Sequence, residues 1–229
     1  MPVTRPLTIP PGFNRTTGPD RLKRLVDVVG AAALLLVTAP LMGVVAILVA
    51  SRLGQPVLFR QCRAGRHGAP FELVKFRSMH PPAPGQGRVG DGDRLTPFGR
   101  WLRATSLDEL PTLWNVLRGD MSLVGPRPLL TDYLDRYSPE QARRHEVRPG
   151  VTGLAQVRGR NGLSWEEKLE LDVRYVDDRD LRLDLSILAA TVRTVLRRDG
   201  ISAPGSATAP EFLGTPRPPA PPQRDRTPA

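Results

Sequence analysis

The dominant feature of the hydrophobic pattern is an apolar run over residues 28–51 that contains no charged side chain. Its length exceeds the ~18 residues that mark a membrane segment. A buried core helix is the competing reading, but such helices rarely stay uncharged all round for so long. A secretory signal peptide fits worse, because the run starts far from Met1 and Leu48-Val49-Ala50 is a poor cleavage site. Downstream the period changes. Residues 56–60 and 71–76 read as two strands around a basic, glycine-containing turn at 63–69. Residues 96–199 are mainly helical in spacing. Ser164 and Glu167 have the spacing of a capping box, and Trp165, Leu169, Val173 and Val176 then recur on one helical face. A last helix begins near Asp184, stacks Leu185, Leu188, Ala189, Val192, Val195 and Leu196, and stops at Gly200.

Pro40 lies near the middle of the apolar run and cannot donate to the Leu36 carbonyl, so a kink is expected there. Thr38 can reach back to the Leu34 or Leu35 carbonyl and ease the loss. Arg21, Lys23 and Arg24 precede the run, and Arg52, Arg60, Arg63 and Arg66 follow it. A spanning helix gathers its basic residues mainly on one side, so this symmetry predicts that both ends stay in the cytoplasm. Each arm about Pro40 holds ~13–17 residues, or ~20–25 Å of helix, short of the ~30 Å hydrocarbon core. The expectation is a re-entrant helix that dips into the membrane and returns, with a simple span as the alternative.

The pattern therefore predicts an α+β fold, predominantly α. It comprises a flexible N-terminal lead (1–20), a re-entrant membrane helix (21–53), a domain over 54–202 that joins a small β-hairpin to a helical part, and a Pro-rich disordered tail (203–229). Lys and Arg number 33 against 23 Asp and Glu, a net charge of +10 that favours anionic partners. Nucleic acid is not expected among them, because the charges are dispersed and aromatic residues make up only 5%. The single cysteine, Cys62, excludes an intrachain disulfide, and the three histidines lack metal-ligand spacing.

The candidate chemistry lies in WLRATSLDELPTLWNVLRGDMSLVGPRPL, residues 101–129. Ser106 and Glu109 have capping-box spacing, which places Asp108 and Glu109 at a helix start that tolerates Pro111. Acidic first turns are common because they complement the helix dipole. Here, however, Arg100, Arg103, Lys75, Arg77 and the stiff turn Gly125-Pro126-Arg127-Pro128 add cations that could gather about a pyrophosphate. A carboxylate in that setting could hold Mg²⁺ or attack phosphorus. No Walker-type phosphate loop and no GxSxG elbow appears.

Residues 23–201 resemble the small monotopic phosphoglycosyl transferases, bacterial sugar transferases that act on polyprenyl phosphate. The matching stretches are KRLVDVVGAAALLL with its mid-run proline, PVLFRQCRAGRHGAPFELVKFRSM, LTPFGRWLRATSLDELPTLWNVLRGDMSLVGPRPLL, RPGVTGLAQVRGRN and LDVRYV. The resemblance implies that Asp108 attacks the β-phosphate of a UDP-sugar and releases UMP, leaving a phosphosugar–aspartate intermediate. Polyprenyl (undecaprenyl) phosphate then takes the phosphosugar. It further implies Mg²⁺ at Asp108, a supporting role for Glu109, nucleotide contacts from Pro126, Arg127 and Pro128, and phosphate contacts from Lys75, Arg77 and Arg103. His145, Arg148 and Gln156 match positions near the site. The implied location is the bacterial inner membrane with the catalytic domain cytoplasmic, and the implied pathway is the start of an exopolysaccharide, capsule or related glycan.

Three departures stand out. The loop at 81–92 is Pro/Gly-rich where relatives carry a longer acidic insert. The kink reads Ala39-Pro40 where relatives have Ser-Pro. The extra upstream helices of larger relatives do not appear, so the chain is expected to be the catalytic core alone. The transferred sugar is not legible, and the oligomeric state, including a homo-oligomer, stays open. The rival from another class is a non-catalytic basic membrane adaptor, which accounts for the apolar run and the charge but not for the acid pair among arginines.

Overall fold

The computed structural model describes residues 18–81, 94–159, 162–197 and 211–214. Most of the loop expected at 81–92 and most of the 203–229 tail lie outside the described residues. The apolar run forms helix α1, Gly18–Leu53, which continues through Pro40. Thr38 Oγ1 donates to the Leu34 carbonyl at 2.6 Å, as expected. Only 11% of the helix's most apolar stretch is buried, which removes the core-helix reading. Leu36, Val37, Leu41, Val44 and Ile47 all face outward.

Both ends of α1 rest on the same folded body. Near its start, Lys23 reaches Asp184 at 2.7 Å, and Arg24 donates to the Val116 and Leu117 carbonyls. Asp27, buried, accepts from Ser122 Oγ and the Leu123 amide. Near its end, Val45, Val49 and Leu53 pack with Phe76 and Leu102. The middle of the helix is left to its surroundings.

Strands β1 (Leu58–Ala64) and β2 (Pro70–Phe76) form an antiparallel hairpin with Leu58 opposite Phe76 and Ala64 opposite Pro70. The first strand begins two residues later and runs four residues further than predicted, and a short 3₁₀ turn, Arg66–Gly68, closes the hairpin. Helix α2 (Pro97–Ala104) leads through a 3₁₀ turn, Leu107–Glu109, to α3 (Thr112–Arg118). Strand β3 (Ser122–Val124) pairs in parallel with β4 (Gly150–Thr152). Between them lie a 3₁₀ segment Thr131–Arg136, the short helix α4 (Pro139–Ala142) and a 3₁₀ turn Arg143–Glu146.

Helices α5 (Leu154–Arg158), α6 (Trp165–Asp178) and α7 (Leu181–Arg197) complete the body. The Ser164–Glu167 capping box forms at the start of α6. Helix α7 starts earlier than expected because the Asp180 carboxylate accepts from the Leu183 amide. The main core joins Ala31 of α1 to Leu73, Leu113, Val116, Met121, Leu123, Tyr175 and Ile187.

Candidate active site

The acid pair does not sit in a capping box. Ser106 adopts a left-handed backbone, φ 56°, and its side chain makes no cap hydrogen bond. That conformation turns the chain so that Leu107–Glu109 form a 3₁₀ turn, and α3 starts only after Pro111. Successive residues of a 3₁₀ turn point ~120° apart. Asp108 accordingly points inward and is 4% exposed, whereas Glu109 reaches out to pair with Arg127 at 3.0 Å.

Cations reach this turn from three elements. In the hairpin, register places Arg63, Leu73 and Lys75 on one face. That face, with Glu109, Thr112, Met121, Arg127, Pro128, Gly150 and Val151, lines an open pocket of about 390 Å³. From α2, Arg103 is aimed by Ser78 Oγ at 2.9 Å. From the loop after β3, Arg127 projects between two buried prolines. That loop is stapled to its surroundings: Gly150 N donates to Pro126 O at 2.9 Å, Arg144 Nη2 to Arg127 O at 2.6 Å, and Arg63 Nη1 to Pro128 O at 3.3 Å. A Cβ on Gly150 would stand 2.1 Å from the Gly125 nitrogen, so the close β3–β4 approach that supports the loop requires glycine there.

The electrostatics follow from this crowding. Burial first, and the neighbouring Glu109 second, push the Asp108 carboxyl up to about 6, against the pull of Lys75, Arg103 and Arg127. Burial likewise holds the Lys75 ammonium below its ordinary range despite both carboxylates. The Arg63 guanidinium is pushed down to about 10 by burial and by Arg127, and its Nε is buried without a hydrogen-bond partner. Asp108 is therefore a buried carboxylate whose ionisation is opposed by burial and by Glu109 and favoured by the charges of Lys75, Arg103 and Arg127.

Four predicted residues stand elsewhere. Arg77 is buried and its guanidinium is spent on the carbonyls of Leu53, Gly54 and Gln55, closing the end of α1 rather than facing the pocket. His145, expected on the surface unless functional, is buried against the Gly65 carbonyl at 3.1 Å. Burial and the adjacent Arg144 push it down to about 3, so it is neutral at pH 7. Arg148 donates to Gly119 O at 2.9 Å and lines a separate pocket with Asp20, Lys23 and Arg66. Gln156 keeps a buried amide whose oxygen and nitrogen have no partner, near the backbone of Gly153.

Comparison with known proteins decides the family. Residues 19–198 match the family described as bacterial sugar transferase. The chain belongs to that family. The transferase is 52% identical to an uncharacterized sugar transferase, EpsL, of Bacillus subtilis, over 85% of this chain and 96% of the relative. It is 45% identical to a UDP-glucose:undecaprenyl-phosphate glucose-1-phosphate transferase of Caulobacter vibrioides, over 86% of this chain and 79% of the relative. An undecaprenyl-phosphate galactose phosphotransferase of Salmonella typhimurium is 41% identical over 78% of the chain, which covers 41% of that relative.

The transferase's donor set suits Mg²⁺. Among the described residues no three potential ligands converge into a protein cage. Asp108 and Glu109 offer hard oxygens, and Mg²⁺ typically binds through one or two carboxylates with substrate phosphates and water completing the shell. Asp108 would be the principal ligand, because Glu109 is already engaged by Arg127.

Several residues that build the site escaped the sequence reading. Arg63 could have been found from strand alternation, since it shares a face with Lys75. Asn115, fully buried, accepts from the Val74 amide and donates to the Glu72 carbonyl, so it fixes α3 to the strand that carries Lys75. The buried Arg144–Asp172 pair, at 2.7 Å, anchors the Arg127 loop to α6. Neither Asn115 nor Asp172 carries a local sequence signal.

Proposed function

We propose that the transferase moves a sugar 1-phosphate from a UDP-sugar to polyprenyl phosphate through a covalent intermediate on Asp108. The observation that carries this reading is the buried Asp108 carboxylate, next in sequence to Glu109 of a cation-lined pocket and within the electrostatic reach of Lys75, Arg103 and Arg127. Relatives named for transfer from UDP-glucose and to undecaprenyl phosphate support the two substrate classes.

In the first step an Asp108 oxygen bonds to the β-phosphorus. The bond from that phosphorus to the bridging oxygen breaks, and the bridging oxygen leaves with UMP. In the second step a phosphate oxygen of the polyprenyl carrier attacks the same phosphorus. The aspartyl–phosphorus bond breaks, restoring the carboxylate and giving a polyprenyl diphosphosugar. Lys75, Arg63, Arg103 and Arg127 hold the diphosphate, and Lys75 and Arg103, which act on Asp108, offset the charge that gathers on its oxygens. Glu109 holds Arg127 until substrate phosphate competes for it. Mg²⁺, when bound at Asp108, would supply charge neutralisation on the phosphate oxygens. An adaptor gains nothing from a carboxylate whose ionisation burial opposes, which favours the catalytic reading over the non-catalytic one.

We also infer that α1 is a re-entrant anchor, with the catalytic body on the cytoplasmic face of the bacterial inner membrane. Its two ends bind one body, through Asp27 and Arg24 at the start and Val49 and Leu53 at the close. A straight span would place one of those ends across the bilayer from its contacts. The lipid-linked product is the starting unit of an exopolysaccharide or capsule.

The reaction is tested with UDP-sugar carrying ³²P at the β position, purified protein, Mg²⁺ and no acceptor. Label bound covalently to the protein, located at Asp108 by mass spectrometry and discharged by polyprenyl phosphate, is the expected result. Turnover without any adduct at that residue defeats the mechanism. A panel of UDP-sugars, read by UMP release, then names the donor.

A further inference from the structure

The proline-rich tail was expected to be disordered, yet residues 211–214 lie against the body. Phe212 is 2% exposed and inserts among three aromatic rings. It stacks on Tyr137 with centroids 5.4 Å apart, meets Tyr133 edge-on at 5.7 Å and lies tilted on Trp165 at 5.3 Å. Its backbone is held as well: its amide donates to Tyr133 Oη at 3.3 Å, and its carbonyl accepts from Arg136. Arg136 also pairs with Glu211 at 2.8 Å. The neighbouring Leu213 is 82% exposed, so the segment docks by one anchor and not by general collapse. Within 203–229 these two are the only large apolar side chains.

Two of the three rings, Tyr133 and Tyr137, belong to the arm that carries Arg127, and the third, Trp165, opens α6. Leu129 and Leu130, which follow Pro128 directly, pack against the same cluster. Tyr133 lies one turn further on, in the Thr131–Arg136 segment. Tyr137 accepts from Arg144 Nη1 at 3.4 Å, and Arg144 Nη2 donates to the Arg127 carbonyl at 2.6 Å. A continuous series of contacts therefore runs from Phe212 through Tyr137 and Arg144 to the backbone of the pocket arginine. Beyond the hydrogen bonds at Pro126, Arg127 and Pro128, the arm carries only the 3₁₀ segment Thr131–Arg136 before α4, so packing underneath it helps to set its position.

We propose that Glu211–Gly214 is a latch, and that Phe212 is a positioning residue that holds Arg127 for the donor diphosphate. For its substrate this inference rests on the function proposed above. The latch should act on donor binding, because Arg127 meets the diphosphate before and during reaction alike. Interactions made equally in both states appear in KM and not in kcat.

The test uses the full chain with Phe212→Ala, Phe212→Leu and, as control, Leu213→Ala. Phe212→Ala should speed amide hydrogen exchange over residues 127–137 by about tenfold or more while leaving α3 unchanged. The KM for UDP-sugar should rise about tenfold with kcat within about twofold. The KM for polyprenyl phosphate should stay put. Phe212→Leu should fall between, and Leu213→Ala should match the parent. Unchanged exchange at 127–137, or protection lost equally in α3, overturns the latch, the second result making Phe212 ordinary core. Loosened exchange with unchanged donor KM also overturns it, since the arm then moves without consequence for Arg127. Calorimetric binding of UDP keeps the two proposals apart. A parent chain that binds no UDP sinks the reading of the reaction, while the exchange data still judge the docking.

Discussion

The middle of α1 and the floor of the pocket are both inverted relative to an ordinary water-soluble protein. Around Val37, large apolar side chains face outward; around Asp108, charged side chains face inward. Each arrangement is costly in the chain alone, and in the function proposed each is relieved by something the chain meets: lipid for the first, an anionic phosphate with its cation for the second. The two regions lie on one body because the ends of α1 dock against the elements that carry the pocket. In the function proposed, a donor from the aqueous side and an acceptor with a lipid tail thus meet at one carboxylate. What differs is how each cost is stored, as exposed area in α1 and as a shifted ionisation at Asp108.

The largest effect should come from removing the buried charge. Asp108→Asn should cut UMP release from UDP-sugar by at least about a thousandfold. The same variant should be more stable at neutral pH. The folded protein raises this carboxyl from 3.8 to about 6, so its ionisation opposes folding above that pH, and the penalty fades as pH falls toward the unfolded value. Asparagine carries no such penalty, and the gain should be up to ~3 kcal/mol at pH 7–8, vanishing below about pH 4. Melting curves of both proteins across pH check the sign. A destabilised Asp108→Asn at pH 8 would show that the carboxylate is structural.

The exposed apolar strip gives the next effect. Val37 is 77% exposed and lies away from the body. Val37→Lys should lower membrane retention at a cost of ~2.5–3.5 kcal/mol if the side chain sits deep in hydrocarbon, while activity in detergent persists. Flotation with liposomes and the detergent assay read the two halves separately. Loss of both would mean that the strip supports the fold.

Asn115→Ala comes third. It strips partners from the buried Val74 amide and Glu72 carbonyl, and it should cost about 1–3 kcal/mol in thermal unfolding. Because Asn115 sets the distance between α3 and Lys75, donor KM should rise along with the instability.

These residues show where sequence is legible and where it is not. The apolar run, the hairpin and the Ser164 capping box were readable because each is written in local spacing. The Ser106 box has the same spacing and does not form, since a left-handed serine, fixed by the turn from α2 into α3, redirects its side chain. Arg77 looked like a phosphate ligand from its place at the end of β2, yet the nearby end of α1 presents carbonyls that take its guanidinium. Arg127 and Lys75 were recognisable through the motif around them, but Asp172 and Asn115 act across the tertiary fold and leave no local trace. Phe212 was hidden by its proline-rich neighbours, which mark a tail by composition and say nothing of one docked ring. Asp27 sits at the very edge of the apolar run and anchors it by contacts to residues 95 and 96 positions away.

The smallest effect tests the coupling inside the acid pair. Glu109 raises the Asp108 pKa through its charge and also engages Arg127, whose charge lowers it. Glu109→Gln removes the first influence and weakens the second, and both changes act in the same direction. The acid limb of kcat/KM, expected near pH 6 for an Asp108 that must be ionised in the free enzyme, should therefore move to lower pH in the variant. Donor affinity should rise slightly, because Arg127 no longer exchanges a carboxylate for phosphate. Measured at limiting Mg²⁺, so that the metal does not itself set the limb, an unmoved limb would assign the titration to another group. A limb that moves upward would mean that Arg127 reaches Asp108 only when Glu109 holds it there, and Glu109 would then serve to aim the arginine and not to hold it in reserve.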